Sequence, residues 1–222
     1  MKALALVESP DHVCCRYRIR AFAPALEAAG VDLEIEGLAR GALARLRQIR
    51  ALSRAEVVII QRKLLPAWQL AMIRQRVSRL VFDFDDAILY RDSYDRRGPF
   101  DRKRGVRFAR SMSLSDVVIA GNDFLAECAR TAGAAAATVR VIPTCVDDSA
   151  YQPKEFASAR PGRLEMVWIG SSSTLNGLER QRNLFERLGR EVPGLRLRMI
   201  CDRFLEFASL PVVPVPWDQQ TE

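Results

Sequence analysis

Between residues 61 and 92, acids and bases gather behind two apolar runs. Asp83, Asp85 and Asp86 follow Leu80–Phe82, Arg62 and Lys63 follow Val57–Ile60, and Arg91 and Asp92 come soon after the acids. Three chemistries suit such carboxylates. They can hold magnesium or manganese, supply an aspartyl nucleophile for phosphoryl transfer, or act as a base and hydrogen-bond acceptor towards a sugar hydroxyl. They can also serve structure, capping the next segment or pairing with Arg62 or Arg91. An aspartyl-phosphatase arrangement expects a hydroxyl residue where Ile88 stands.

Other clusters bear on anions. Arg16, Arg18 and Arg20 fall early in a helix expected over Cys15–Ala29, where positive charge opposes the helix dipole and implies an anion or a carboxylate partner. Helical spacing puts Arg16 and Arg20 on one face and Arg18 elsewhere, so Arg16 and Arg20 are the expected pair. Asn122 and Asp123 follow Gly121 and read both as N-caps and as acceptor contacts. Gly170, Ser171, Ser172 and Thr174 lie between a strand and a helix start, where free N–H groups receive phosphate; a Ser/Thr cap with nothing bound reads equally well. The dinucleotide glycine pattern is absent. Cys145 has only His12, the single histidine, to serve as its base, which argues against a cysteine nucleophile.

The elements that must position these residues alternate regularly. Strands are expected at Ala3–Val7, Leu33–Glu36, Val57–Ile60, Leu80–Phe82, Val117–Ala120 and Val139–Ile142, each followed by a helical pattern. Apolar strands separated by helices mark a doubly wound parallel α/β sheet, with ligands bound beyond the carboxyl ends of the strands. Residues 1–147 form one Rossmann-like domain in this reading, and the proline-bearing, polar stretch 148–163 is a linker. The pattern restarts with a strand at Leu164–Ile169, a helix at Thr174–Arg190, and strands at Leu195–Ile200 and Val212–Val215. Residues 164–222 are therefore expected to be an incomplete second α/β unit, too small to cover its own sheet.

The formal charge of +7 is carried almost wholly by arginine, which favours an anionic partner. The bases are interspersed with acids and no nucleic-acid module is recognisable, so no nucleic-acid partner is expected. Arg40–Arg54 reads as a basic amphipathic helix that either rests on an anionic membrane or packs on the sheet. Five cysteines without paired spacing argue against disulfides and zinc and for a reducing cytoplasm. No apolar run reaches the length of a membrane span.

Four stretches in order resemble the family-4 glycosyltransferases of the GT-B architecture: CRYRIRAFAPALEAAG, VVIIQRKLLPAWQL with LVFDFDDAILYRDSY, DVVIAGNDFLAECA, and RVIPTCVDDSAYQP followed by LEMVWIGS. The resemblance implies two facing Rossmann-like domains that move a sugar from a nucleotide-sugar to a hydroxyl acceptor, saccharide or lipid-linked, with neither metal nor cofactor. Many family members have a histidine in the region where this chain has Asp83, Asp85 and Asp86, and in the implied mechanism a carboxylate among these three orients or deprotonates the acceptor hydroxyl. Acceptor contacts fall to Arg16, Arg20, Arg62, Lys63, Arg91, Asn122 and Asp123, and donor contacts to Gly170, Ser171, Ser172 and Thr174. The cysteine usage and the basic helix together lead to the expectation of a cytoplasmic location, with peripheral contact at the inner membrane face as an alternative to packing on the sheet. The chain departs from the family where a basic pair grips the donor diphosphate: Ser171 and Asn176 stand there. The family's paired-glutamate segment has no counterpart before Glu222, so truncation within the donor half is expected. The alternatives are a non-catalytic Rossmann-type binding module and a metal-dependent phosphoryl or nucleotidyl enzyme built on the Asp cluster.

Overall fold

The computed structural model describes residues 1–146 and 164–218, which fall into two compact units. The expected linker lies outside the described residues.

The first unit is a six-stranded, wholly parallel sheet in the order β2-β1-β3-β4-β5-β6. The strands are β1 (Lys2–Val7), β2 (Asp32–Gly37), β3 (Val57–Gln61), β4 (Arg79–Phe84), β5 (Val117–Ala120) and β6 (Val139–Val141). Strand order reverses between β1 and β3, the switch point of a doubly wound sheet. Helices α3 (Ala42–Ala51), α4 (Ala67–Arg74), α5 (Arg102–Leu114) and α6 (Asp123–Thr131) pack in succession on one face. Leu4, Leu6, Ile60, Phe82 and Phe84 meet Ile49, Leu70, Ile73, Phe108 and Leu125 there. Ala5, Val7, Cys15 and Ile19 form a smaller core on the opposite face, under α1 (Val13–Arg18).

Ile49 and Leu52, the end of the Arg40–Arg54 pattern, are fully buried, so that segment packs on the sheet. The helix expected over Cys15–Ala29 is broken. α1 stops at Arg18, a 3-10 turn covers Arg20–Phe22, and Pro24 opens α2 (Ala23–Ala28).

The second unit is a parallel three-stranded sheet, β7 (Leu164–Ile169), β8 (Leu195–Cys201) and β9 (Val212–Pro216), in sequence order. The helix expected over Thr174–Arg190 is two, α7 (Leu175–Arg180) and α8 (Arg182–Glu191), hinged at Gln181. Leu175, Leu178, Leu197, Met199 and Leu210 form the core, with Trp168, Phe185 and Phe207 against it. Val167 and Ile169 alternate out of that core and are exposed.

Among the described residues no helix is long and apolar enough to cross a membrane.

Candidate functional site

The three acids do not act as one group, because β4 runs two residues further than its apolar core. Asp83 lies inside the strand, between Phe82 and Phe84 in sequence but on the opposite face. There it meets Arg18: Nη2 donates to Oδ1 at 2.6 Å and Nε to both carboxylate oxygens at 3.1 Å. The side chains are 2% and 3% exposed. Arg18 Nη1 also donates to the Ile142 carbonyl at 2.9 Å and to Thr144 Oγ1 at 3.2 Å, tying the end of α1 to β4 and to the end of β6. Burial pushes the Asp83 carboxyl up, and the Arg18 guanidinium opposes that shift.

Asp85 and Asp86 stand past the strand end, and Arg62 sits between them. Its Nε lies 3.5 Å from Asp85 Oδ1, and its Nη2 is 2.9 Å from Asp86 Oδ2. Its Nη1 also reaches Cys14 Sγ. Arg62 takes a left-handed backbone (φ 56°), unusual outside glycine, while its N–H donates to the Asp83 carbonyl at 2.8 Å. This turn at the end of β3 aims the guanidinium across β4 at the acids. Asp85 is mostly covered and Asp86 mostly exposed, so Asp86 presents the more open carboxylate. Gly121 makes room for them: a Cβ there would lie 3.0 Å from Asp85 Cα.

The remaining expected contacts separate. Lys63 pairs with Glu8 at 2.7 Å, beside Arg62. Arg91 holds its own loop, bonding Asp101 at 3.0 Å and the carbonyls of Gly98 and Phe100. Asn122 caps α6 by accepting the Leu125 N–H at 2.9 Å, with Asp123 in the first turn. Arg20 donates to the Pro10 carbonyl at 3.2 Å, and Arg16 lies over the Tyr17 ring. Because α1 ends at Arg18, Arg16 and Arg20 do not share a helix, and Arg18 turns inward to the buried Asp83. His12 caps α1, its Nδ1 accepting the Cys14 N–H at 3.2 Å. Burial pushes the Cys14 thiol up, which disfavours a thiolate.

Among the described residues no three His, Cys, Asp or Glu side chains converge as a metal cluster would require. The reason is visible in the acids, which face two different arginines.

Two cavities adjoin these groups. A polar one of about 400 Å³ opens between Arg62, Lys63, Ile88 and the first turns of α5. An apolar one of about 280 Å³ lies on the α1 face, lined by Phe22, Leu26, Ile59 and Ile119, with Arg18 and Asp83 at its wall.

In the second unit, Gly170 is enforced by packing, since a Cβ would fall 2.6 Å from the Trp168 ring. Thr174 Oγ1 accepts the Ser171 N–H and Ser171 Oγ contacts Ser173. The Ser172 N–H donates to Asp202 Oδ1 at 2.7 Å, and the Ser172 hydroxyl together with this N–H holds the Asp202 carboxyl below the usual carboxylate range. An acid of the chain thus already occupies an amide at the expected phosphate position.

No family model and no curated protein matches the chain. Solved structures do. The lipopolysaccharide outer core galactosyltransferase WaaB, in its apo form, matches with a TM-score of 0.60 at 11% identity, covering 100% of this chain and 69% of that one. HepE (Alr3699) of Anabaena, in complex with UDP and glucose, gives 0.53 at 16% identity, over 97% and 70%. A putative UDP-N-acetylglucosamine 2-epimerase of Listeria monocytogenes gives 0.56 at 11% identity, over 97% and 69%. At such identities the likeness shows fold. The shared fold is a Rossmann-like parallel α/β sheet followed by a smaller parallel sheet.

Proposed function

We propose that the chain is a glycosyltransferase of the family-4 type, moving a sugar from a nucleotide-sugar to a hydroxyl of a saccharide or lipid-linked acceptor. The observation that carries this reading is the Asp85–Arg62–Asp86 cluster. Two carboxylates share one guanidinium beyond the carboxyl ends of parallel strands, beside a polar cavity. In this reading Asp85 or Asp86 accepts the proton of the acceptor hydroxyl as its oxygen attacks the anomeric carbon, and the nucleoside diphosphate leaves. Arg62 and Lys63 orient the acceptor. Asp83, held by Arg18, fixes the strand from which the acids project. The UDP and glucose bound to HepE, a protein of like fold, support the donor class.

The donor diphosphate would lie against Gly170, Ser171, Ser172 and Thr174, where it meets Asp202 as a competitor for the Ser172 amide. That competition favours a second reading, a non-catalytic sugar-binding module. Calorimetric titration with UDP- and GDP-sugars separates the two. The transferase reading predicts micromolar binding, tightened several-fold by Asp202→Asn as like charge leaves the phosphate position. No binding by either protein refutes the nucleotide-sugar donor.

A further inference from the structure

The polar cavity beside Arg62 carries positive charge that the protein does not neutralise. Lys103, Arg104 and Arg107, all from the first half of α5, line it. Of the two acids in its lining, Asp101 caps α5 through the Arg104 N–H at 2.9 Å and pairs with Arg91 at 3.0 Å. Glu8, across the cavity, pairs with Lys63. Among the described residues, Arg104 reaches only the carbonyls of Ile88 and Tyr90, and Arg107 only that of Leu64. Carbonyls satisfy N–H groups without cancelling charge. Lys103 has no ion pair among the described residues. Three cations thus crowd the end of a helix whose dipole already opposes them.

We infer that this cavity binds a phosphate group, carried by the acceptor as a sugar phosphate or as a phospholipid headgroup. A sugar-phosphate monoester brings about −1.5 to −2 charges and three acceptor oxygens at neutral pH, and the phosphodiester of a phospholipid headgroup brings one charge and two free oxygens; both suit a cluster of cations. Arginine forks match phosphate oxygens two at a time. A cavity of about 400 Å³ lies in the size range of small-ligand sites, so a sugar ring fits beside the phosphate. Arg62 belongs both to the cavity lining and to the Asp85–Asp86 cluster, so a phosphate held by α5 would set the acceptor sugar against those acids. Only the acceptor role rests on the transferase reading. Phosphate binding stands by itself.

The test titrates the chain with glucose 6-phosphate, glucose and inorganic phosphate, and sediments it with phosphatidylcholine vesicles lacking or containing phosphatidylinositol. In one arm, either glucose 6-phosphate over glucose or phosphatidylinositol vesicles over phosphatidylcholine alone, binding is expected to be at least about tenfold tighter, the arm identifying a soluble or a lipid source. Lys103→Glu, at an exposed position, and Arg107→Gln should each weaken that binding about tenfold, while Arg110→Gln, on α5 outside the cavity, leaves it unchanged. Equal binding of phosphorylated and neutral ligands in both arms would overturn the proposal. So would an equal loss in Arg110→Gln, which would mean diffuse attraction to a basic surface. Phosphate binding without UDP-sugar binding would refute the transferase reading and leave this site intact.

Discussion

Arg18 and Asp83 show how far a residue's type lies from its role. The sequence marks Asp83 as one of three equivalent acids and sets Arg18 aside because of its helical phase. Both inferences fail on small boundary shifts: β4 continues to Phe84, which buries Asp83, and α1 ends at Arg18, which frees that side chain to turn inward. Neither shift leaves a signal in local composition, because each is decided by a contact 65 residues away. Arg62, by contrast, was legible as a cation at a strand end, though its left-handed backbone was not. A buried ion pair that loses one partner leaves an uncompensated charge. Arg18→Met should therefore destabilise the first unit by about 3–5 kcal/mol in urea unfolding. The double substitution Arg18→Met/Asp83→Leu should recover most of that loss. Equal instability of single and double variants would show that the packing, not the charge, matters.

Strands were the legible elements, since β1 to β9 each carry a short apolar run that periodicity places to within two residues. Helices were legible in position and not in continuity. Gln181 interrupts the segment after β7 without proline or glycine at the break, so tertiary packing decides it. Beyond that hinge, Gly189 lets α8 approach the chain at Ser209, where a Cβ would fall 2.2 Å from the Ser209 carbonyl oxygen. Gly189→Ala should cost the second unit about 1–3 kcal/mol in thermal unfolding, because backbone must move. Glu186 fastens the same contact by accepting the N–H groups of Ala208 and Ser209 at 2.8 and 2.7 Å. Those backbone donors hold its carboxyl below the ordinary value. A depressed folded-state value means stabilisation that is present above the unfolded-state value and lost as pH falls through the folded one. Thermal melts from pH 6 down to about pH 3 should show a smaller acid loss in Glu186→Gln than in the parent. Parallel curves would remove Glu186 from the acid response.

At the scale of the molecule, a doubly wound sheet was readable from alternation, and the small second sheet from the restart at Leu164. The fold is shared by a galactosyltransferase and a putative epimerase, so it selects no reaction; the residues beyond the strand ends must. In the first unit those residues are Asp85, Asp86 and Arg62, beside a basic cavity. In the second they are an amide turn already engaged by Asp202. The central claim, that the Asp85–Asp86 pair activates an acceptor hydroxyl, is tested most directly by transfer of labelled sugar from UDP- and GDP-sugars to a panel of phosphorylated and neutral acceptors. Measurable transfer is expected, falling about 10²–10⁴-fold in Asp85→Asn or Asp86→Asn with folding unchanged. Transfer at the parent rate in both variants would contradict it.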